Sequence, residues 1–355
     1  MSIHRREAGR KTRGCLDNPL LARYAECIFW LARSVERAEN LARILEVNET
    51  FPRDRSGSHN WLSIVQLNTD EEAFFAKHTA ASAENVIQFY VTDADNSTSI
   101  VSALTNAREN ARTLRPLVST EMWVQLNVTY NRVIAVAPGE LVPGNLSQLL
   151  TEIKEACQTF TGITEGTFYR DQAWWFYRMG CYIERADQTT RLLDNKYYIL
   201  TKGAGSDAPL EVGQWHAVLR SASGYHAFRR IHSSDLTPAR VAAFLLFNPA
   251  FPRSVHLCLR EVQSALTELK SRYALRGGND VAEGLDQLRA ILGARSIEQV
   301  IAGGLHEFID FIQRYLIAIT IRLSTAFFGH EPEADGAEQV YGDFPPVAYS
   351  SQMQT

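Results

Sequence analysis

Apolar residues recur every three to four positions along most of the chain, and the longest such stripe occurs twice. In the first copy Ile28, Leu31, Val35, Ala38, Ala42 and Leu45 fall on one face of a helix at 100° per residue. In the second copy the stripe is Phe176, Met179, Ile183, Ala186, Thr190 and Leu193. Sliding Ala25–Leu45 by 148 residues onto Ala173–Leu193 places Glu36 on Glu184, Arg37 on Arg185, Glu39 on Asp187 and Arg43 on Arg191. The shared pattern is E-R-A-[ED]-x-x-x-R-[IL]-L. Trp30, Leu41 and Ile44 lie on another flank, so the helix is apolar over most of its girth and belongs in an interior.

Polar residues on such a helix are therefore informative. Glu36, Glu39 and Arg43 cluster within about 60° of one another, and Glu184, Asp187 and Arg191 repeat the strip. Glu39–Arg43 and Asp187–Arg191 are i,i+4 pairs in the favourable order. Arg37 and Arg185 point to another flank, roughly 100° from the Glu before each. Ionised groups on a buried helix must find partners or shift their pKa. Two equivalent strips could partner each other across a pseudo-twofold axis.

Helical periodicity continues on both sides. Asn18-Pro19 fits a helix start, and the first long helix runs to about Asn48. Shorter helices follow over Trp61–Leu67, Asp70–His78, Ala83–Val91 and Ile100–Arg115, the last followed by a helix headed by Pro116. Leu146–Phe168 leads into the second long helix, Arg170 to about Leu200, and a final helix spans Ile297–Phe328. No convincing strand emerges. The duplication extends beyond the long helices: Trp61 matches Trp215, Val86 and Phe89 match Val241 and Phe244, and Ser99-Ile100 matches Ser254-Val255. The expected fold is thus all-α, an internally duplicated bundle of about a dozen helices, two pseudo-symmetric halves packed around the paired Glu-Arg helices. The halves are expected at 18–168 and 169–328, between a disordered basic leader (1–17) and a flexible tail (329–355).

Composition narrows the function. A net charge of −4 over 355 residues gives no nucleic-acid footprint. The cysteines, at 15, 27, 157, 181 and 258, are scattered without a CxxC, so neither a disulfide framework nor zinc ligation is suggested, and a cytoplasmic setting is the default. Phe308–Phe328 is apolar but interrupted by Asp310, Arg314 and Arg322, which suits a buried helix better than a membrane span. No P-loop, GxGxxG or GxSxG pattern is present, so no cofactor is expected, and no His pattern suits metal.

The candidate polar site is therefore Glu36, Arg37, Glu39, Arg43, Glu184, Arg185, Asp187 and Arg191. Three uses are open to it: a salt-bridged clamp between halves, a hard-ion site for magnesium or manganese, and acid–base or substrate-anchoring chemistry. The clamp fits most simply because each acidic strip carries its own Arg. Arg108, Arg112 and Arg115 share one helix face and are candidates to hold phosphate or carboxylate groups. The alternative is pairing with Asp93, Asp95 or Glu121. Arg253-Ser254, at a helix start after Pro252, is a further anion-binding candidate, with simple capping as the alternative.

The paired ERAE and ERAD helices, the SI-x7-ARENAR-x-LR run from Ser99 to Arg115 with its following E-M-W and Asn127, and the NPAFPRSV run from Asn248 to Val255 together resemble the bacterial alpha-E family. The resemblance covers roughly residues 18 to 328. It implies an all-helical fold without a settled reaction. It also implies association with a circularly permuted ATP-grasp protein and often a transglutaminase-like cysteine peptidase, in making, modifying or trimming peptides. The leading expectation is an accessory or scaffold protein working with an ATP-grasp-type ligase, which would supply the nucleotide site. The second is an enzyme or hard-metal-binding protein with its site between the two Glu-Arg helices, and the third is a non-catalytic homodimeric interaction protein.

Overall fold

The computed structural model describes residues 20–50, 60–142, 144–202, 208–232 and 236–330. Among the described residues there are 15 α-helices and no strand. The first half comprises α1 (Ala22–Thr50), α2 (Leu62–Asn68), α3 (Glu71–Lys77), α4 (Ala83–Val91), α5 (Ile100–Thr113), α6 (Thr120–Ile134) and α7 (Leu146–Thr167). The second comprises α8 (Gln172–Lys202), α9 (Ala208–Ser221), α10 (Tyr225–Ile231), α11 (Pro238–Phe247), α12 (Val255–Arg272), α13 (Asn279–Gly293), α14 (Ile297–Gly303) and α15 (Leu305–Leu323). Asn18-Pro19, the expected leader and most of the expected tail lie outside the described residues.

The two halves pack alike. In the first, α1 is flanked by α5 and α7, with α6 bridging those two; in the second, α8 is flanked by α12 and α15, with α13 bridging. Detail repeats too. Phe74 meets Phe89 edge-on at 5.1 Å and His78 at 4.9 Å, while Phe228 meets Phe244 edge-on at 5.4 Å and His232 at 4.8 Å. Ser99 caps α5 by accepting from the Ser102 amide, and Ser254 caps α12 by accepting from the Leu257 amide, both at 3.2 Å. These landmarks hold the separation of about 155 residues found in the sequence.

The halves also interlock. Helix α1 packs most extensively against α8, and each half lends a helix to the other's long helix: α2 lies on α8 and α9 on α1. The crossing of α1 and α8 is tightest where Gly180 faces Ala32, positions equivalent under the 148-residue shift. A Cβ on Gly180 would run into the carbonyl oxygen of Phe29 and stand 3.1 Å from the Ala32 Cβ. Small residues at both equivalents let two interior helices approach closely. Ile28, Leu31, Ala38, Ala42 and Leu45 are buried, and so are Leu41 and Ile44 on the other flank.

The last helical stretch differs from expectation. Instead of one helix from Ile297 to Phe328, the chain breaks at Gly304, whose φ of +100° is open to glycine but strained for other residues. Beyond the break α15 runs to Leu323 and ends in a π-type turn, Ser324–Phe328, closed by Gly329 at φ +81°. The α15 stretch, Leu305–Phe328, is long and apolar enough to cross a membrane, and half of its most apolar window is buried inside the fold against other helices.

Candidate functional site

Glu36 and Glu184 sit on facing stretches of α1 and α8 and are 2 % and 0 % exposed. Each is neutralised mainly by the other helix or by a more distant segment. Arg185 Nε lies 2.9 Å from Glu36 Oε2. Arg37 donates to Glu184 through Nε at 2.8 Å and Nη2 at 3.1 Å. The Arg of each Glu-Arg pair thus serves the Glu of the other copy. Neighbouring residues on a helix point about 100° apart, so the Glu and the Arg of each pair face different neighbours and can exchange with their twofold mates.

Each carboxylate takes a second guanidinium, and here the symmetry fails. Glu184 accepts from Arg33 Nε at 2.7 Å, one turn earlier on α1. Glu36 accepts from Arg253 Nη1 at 2.6 Å, from the segment before α12. Arg253 also donates to Asn40 at 2.7 Å and Glu39 at 3.2 Å, and its own carbonyl accepts from Thr189 at 2.8 Å. Arg43 pairs with Glu39 and donates to Asn40 at 3.1 Å. On α8, Asp187 pairs with Arg191 at 2.9 Å, and Arg191 reaches Thr69 Oγ1 at 3.1 Å.

Burial alone would push the Glu36 and Glu184 carboxyls up. The guanidinium groups outweigh it: Arg185 and Arg253 hold Glu36 at about 2, and Arg37 and Arg33 hold Glu184 at about 2. Arg37 is raised in turn, chiefly by Glu184. Arg43 is lowered by burial and by the neighbouring charge of Arg253. Six guanidinium groups (Arg33, Arg37, Arg43, Arg185, Arg191, Arg253) therefore surround four carboxylates (Glu36, Glu39, Glu184, Asp187). Both oxygens of Glu36 and of Glu184 face guanidinium groups. A magnesium or manganese ion there would have to displace them and sit among cations, which does not suit this donor set. Among the described residues no group of three or more His, Cys, Asp or Glu is arranged to hold a metal.

The structure brings all eight residues of the candidate polar site onto the paired helices. It adds Arg33, Asn40, Gln158, Gln188 and Arg253. Asn40 and Gln188 are equivalent under the 148-residue shift, and Gln188 donates to Glu184 at 3.2 Å. The repeated motif therefore extends to E-R-A-[ED]-[NQ], a signal present in the sequence. Gln158, which donates to Glu39 at 3.2 Å, comes from α7 and has no such signal.

The other candidates fall elsewhere. Arg253 belongs to the polar core, with its guanidinium donating to protein acceptors, and Ser254 caps α12 while donating to the Asn248 carbonyl at 2.5 Å. Arg108 donates to Asn127 at 2.8 Å and stacks 4.9 Å from the Tyr130 ring. Arg112 pairs with Glu109 at 2.6 Å, and Arg115 lies 4.9 Å from the Trp123 ring. Asp93 and Asp95, named as acidic partners for this row, instead pair with Lys77 at 2.8 and 3.4 Å. The cysteines offer no ready nucleophile among the described residues: burial raises Cys157, Cys181 and Cys258, the last two to about 12.

A groove of about 430 Å³ opens beside this core, between α1, α8 and α15. Trp30 and Arg33 line it from α1, Ile183 and Asp187 from α8, and Leu316 and Ile317 from α15. His330 and Glu26, 2.9 Å apart, also line it.

The chain belongs to the Alpha-E family, described as a predicted alpha-helical domain with a conserved ER motif, which matches residues 20–328. It is also similar to an uncharacterized protein of Mycobacterium bovis and to one of Mycobacterium tuberculosis, each 24 % identical over 271 residues. Those matches cover 68 % of this chain but 29 % of either relative, so the chain spans under a third of their length. No solved structure matches.

Proposed function

We propose that this Alpha-E protein is an accessory or scaffold component of a peptide-synthesis or peptide-modification system, acting in the cytoplasm with a circularly permuted ATP-grasp ligase. The observation that carries the reading is the mycobacterial match: the related region is a minor part of a much longer chain, as expected of a module that works beside another. The polar core supports it. Its carboxylates are held ionised and neutralised by arginines, which suits a clamp fixing two helical halves in one arrangement better than acid–base turnover. A transglutaminase-like peptidase is a further expected partner.

The test is co-expression of the full chain with the circularly permuted ATP-grasp protein of the same genome. Co-elution in size-exclusion chromatography at micromolar concentration, with ligase turnover dependent on this chain, is the expected result. Separate elution and unchanged turnover would overturn the reading.

The groove beside Arg33 and Asp187 favours a second reading, a ligand site on the flank of the paired helices. Under it, Asp187→Asn would leave the fold intact and abolish ligation or binding. Under the clamp, Asp187→Asn would change stability alone.

A further inference from the structure

A second groove, of about 440 Å³, lies where the C-terminal part of α1, the middle of α7 and the α9–α10 corner meet. That volume is ordinary for a small-molecule site. Arg43, Glu46 and Lys154 line it from the first half, and Arg220, Tyr225 and His226 from the second. Among the described lining residues Glu46 is the one acid, and it is already paired with Lys154 at 2.6 Å.

Three observations make this groove electropositive. First, Arg43 shares both its acceptors, Glu39 and Asn40, with Arg253, and both belong to the core in which six guanidinium groups face four carboxylates. Second, Arg220 and Arg229 both stand over the Tyr225 ring, at 4.3 and 5.8 Å, and the Tyr225 hydroxyl accepts from Arg229 at 3.3 Å. The aromatic ring thereby holds the guanidinium of Arg220, a lining residue of the groove. Third, the nearby His216 ring is disfavoured as a cation by burial and by the charges of Arg220 and Arg229.

We propose that this groove binds a small ligand through an oxyanion group, phosphoryl or carboxyl, held by Arg220 and His226 at the mouth with Lys154 and Arg43 behind. Planar guanidinium and ammonium donors brought together from several helices suit an anion with two or more terminal oxygens. Tyr225 and Val47 offer apolar surface to the remainder of the ligand. The site goes beyond the scaffold reading and stands whether or not a ligase binds.

Isothermal titration of the full chain with pyrophosphate and, separately, with succinate, at constant ionic strength, tests it. Saturable binding of one probe is expected, weakened about tenfold by Arg220→Gln and again by Lys154→Gln, as loss of a charge-assisted contact would do. Arg272→Gln, exposed at the end of α12 and outside the groove, should bind like the parent. Circular dichroism and the thermal midpoint report whether each variant is folded. Pyrophosphate saturation assigns a phosphoryl ligand, and succinate saturation a carboxyl one. Saturation by neither, or equal affinity in the folded Arg220→Gln/Lys154→Gln double variant, overturns the proposal.

Discussion

Arg185 Nε lies 2.9 Å from Glu36 Oε2, although the residue beside Arg185 in the chain is Glu184, the equivalent of Glu36 in the other half. Arg37 and Glu184 complete the exchange. An interior cluster of this kind gives little net stability relative to an apolar core, yet breaking one member leaves an uncompensated buried charge. It contributes register, because sliding α1 along α8 would part both crossed pairs at once.

Double-mutant cycles test that exchange. Gln substitutions at Arg37 and Glu184, or at Arg185 and Glu36, should show coupling energies of about 1–3 kcal/mol in urea unfolding. The chain neighbours Glu36–Arg37 and Glu184–Arg185 should couple at least about 1 kcal/mol less. Equal coupling for both kinds of pair would contradict the crossed geometry.

The pH dependence follows from the depressed carboxyls. Glu36 and Glu184 have folded values of about 2 against an ordinary 4.5, so the folded state binds fewer protons than the unfolded state between these limits. Their stabilisation is full above about pH 5 and is lost as pH falls through about 2, on the order of 3 kcal/mol per carboxylate. Unfolding free energy measured from pH 7 to pH 2 should stay level at first and then fall. Glu184→Gln should start lower and fall less steeply.

Gly180→Ala should destabilise the protein by about 1–3 kcal/mol, since overpacking at the α1–α8 crossing outweighs the roughly 1 kcal/mol gained in helix propensity. Gly162→Ala on α7, where a Cβ meets nothing within 4 Å, should stabilise by about 0.5–1 kcal/mol. Thermal midpoints of the two variants should therefore move in opposite directions.

The duplicated caps should differ in strength. Ser99→Ala should cost about 1 kcal/mol, the usual value of an N-cap. Ser254→Ala should cost about 2 kcal/mol, because it also orphans the Asn248 carbonyl that Ser254 donates to. Chemical denaturation of both variants checks the order.

Much of this architecture was written locally. The 3.6-residue stripes located the long helices to within a few residues, and the Ser99 and Ser254 caps sit at their predicted helix starts. The repeat was legible because it recurs as residue types at fixed separations. The Gly304 break was passed over although Gly303-Gly304 is a turn signal, because the apolar period of Ile297–Phe328 continues across it.

Sequence alone determined the helices, the duplication and the list of charged residues that interior helices must neutralise. Tertiary structure decided which charge meets which. Helical spacing fixes the directions of side chains on one helix, so Glu39–Arg43 and Asp187–Arg191 could be read one turn apart. It cannot give the distance between two helices, on which the Arg37–Glu184 and Arg185–Glu36 exchange depends. Nor can it bring in Arg253, which reaches Glu36 from 217 residues away because α12 packs along α8. Electrostatic energy depends on separation in space, and for buried groups that separation is set by how whole helices pack.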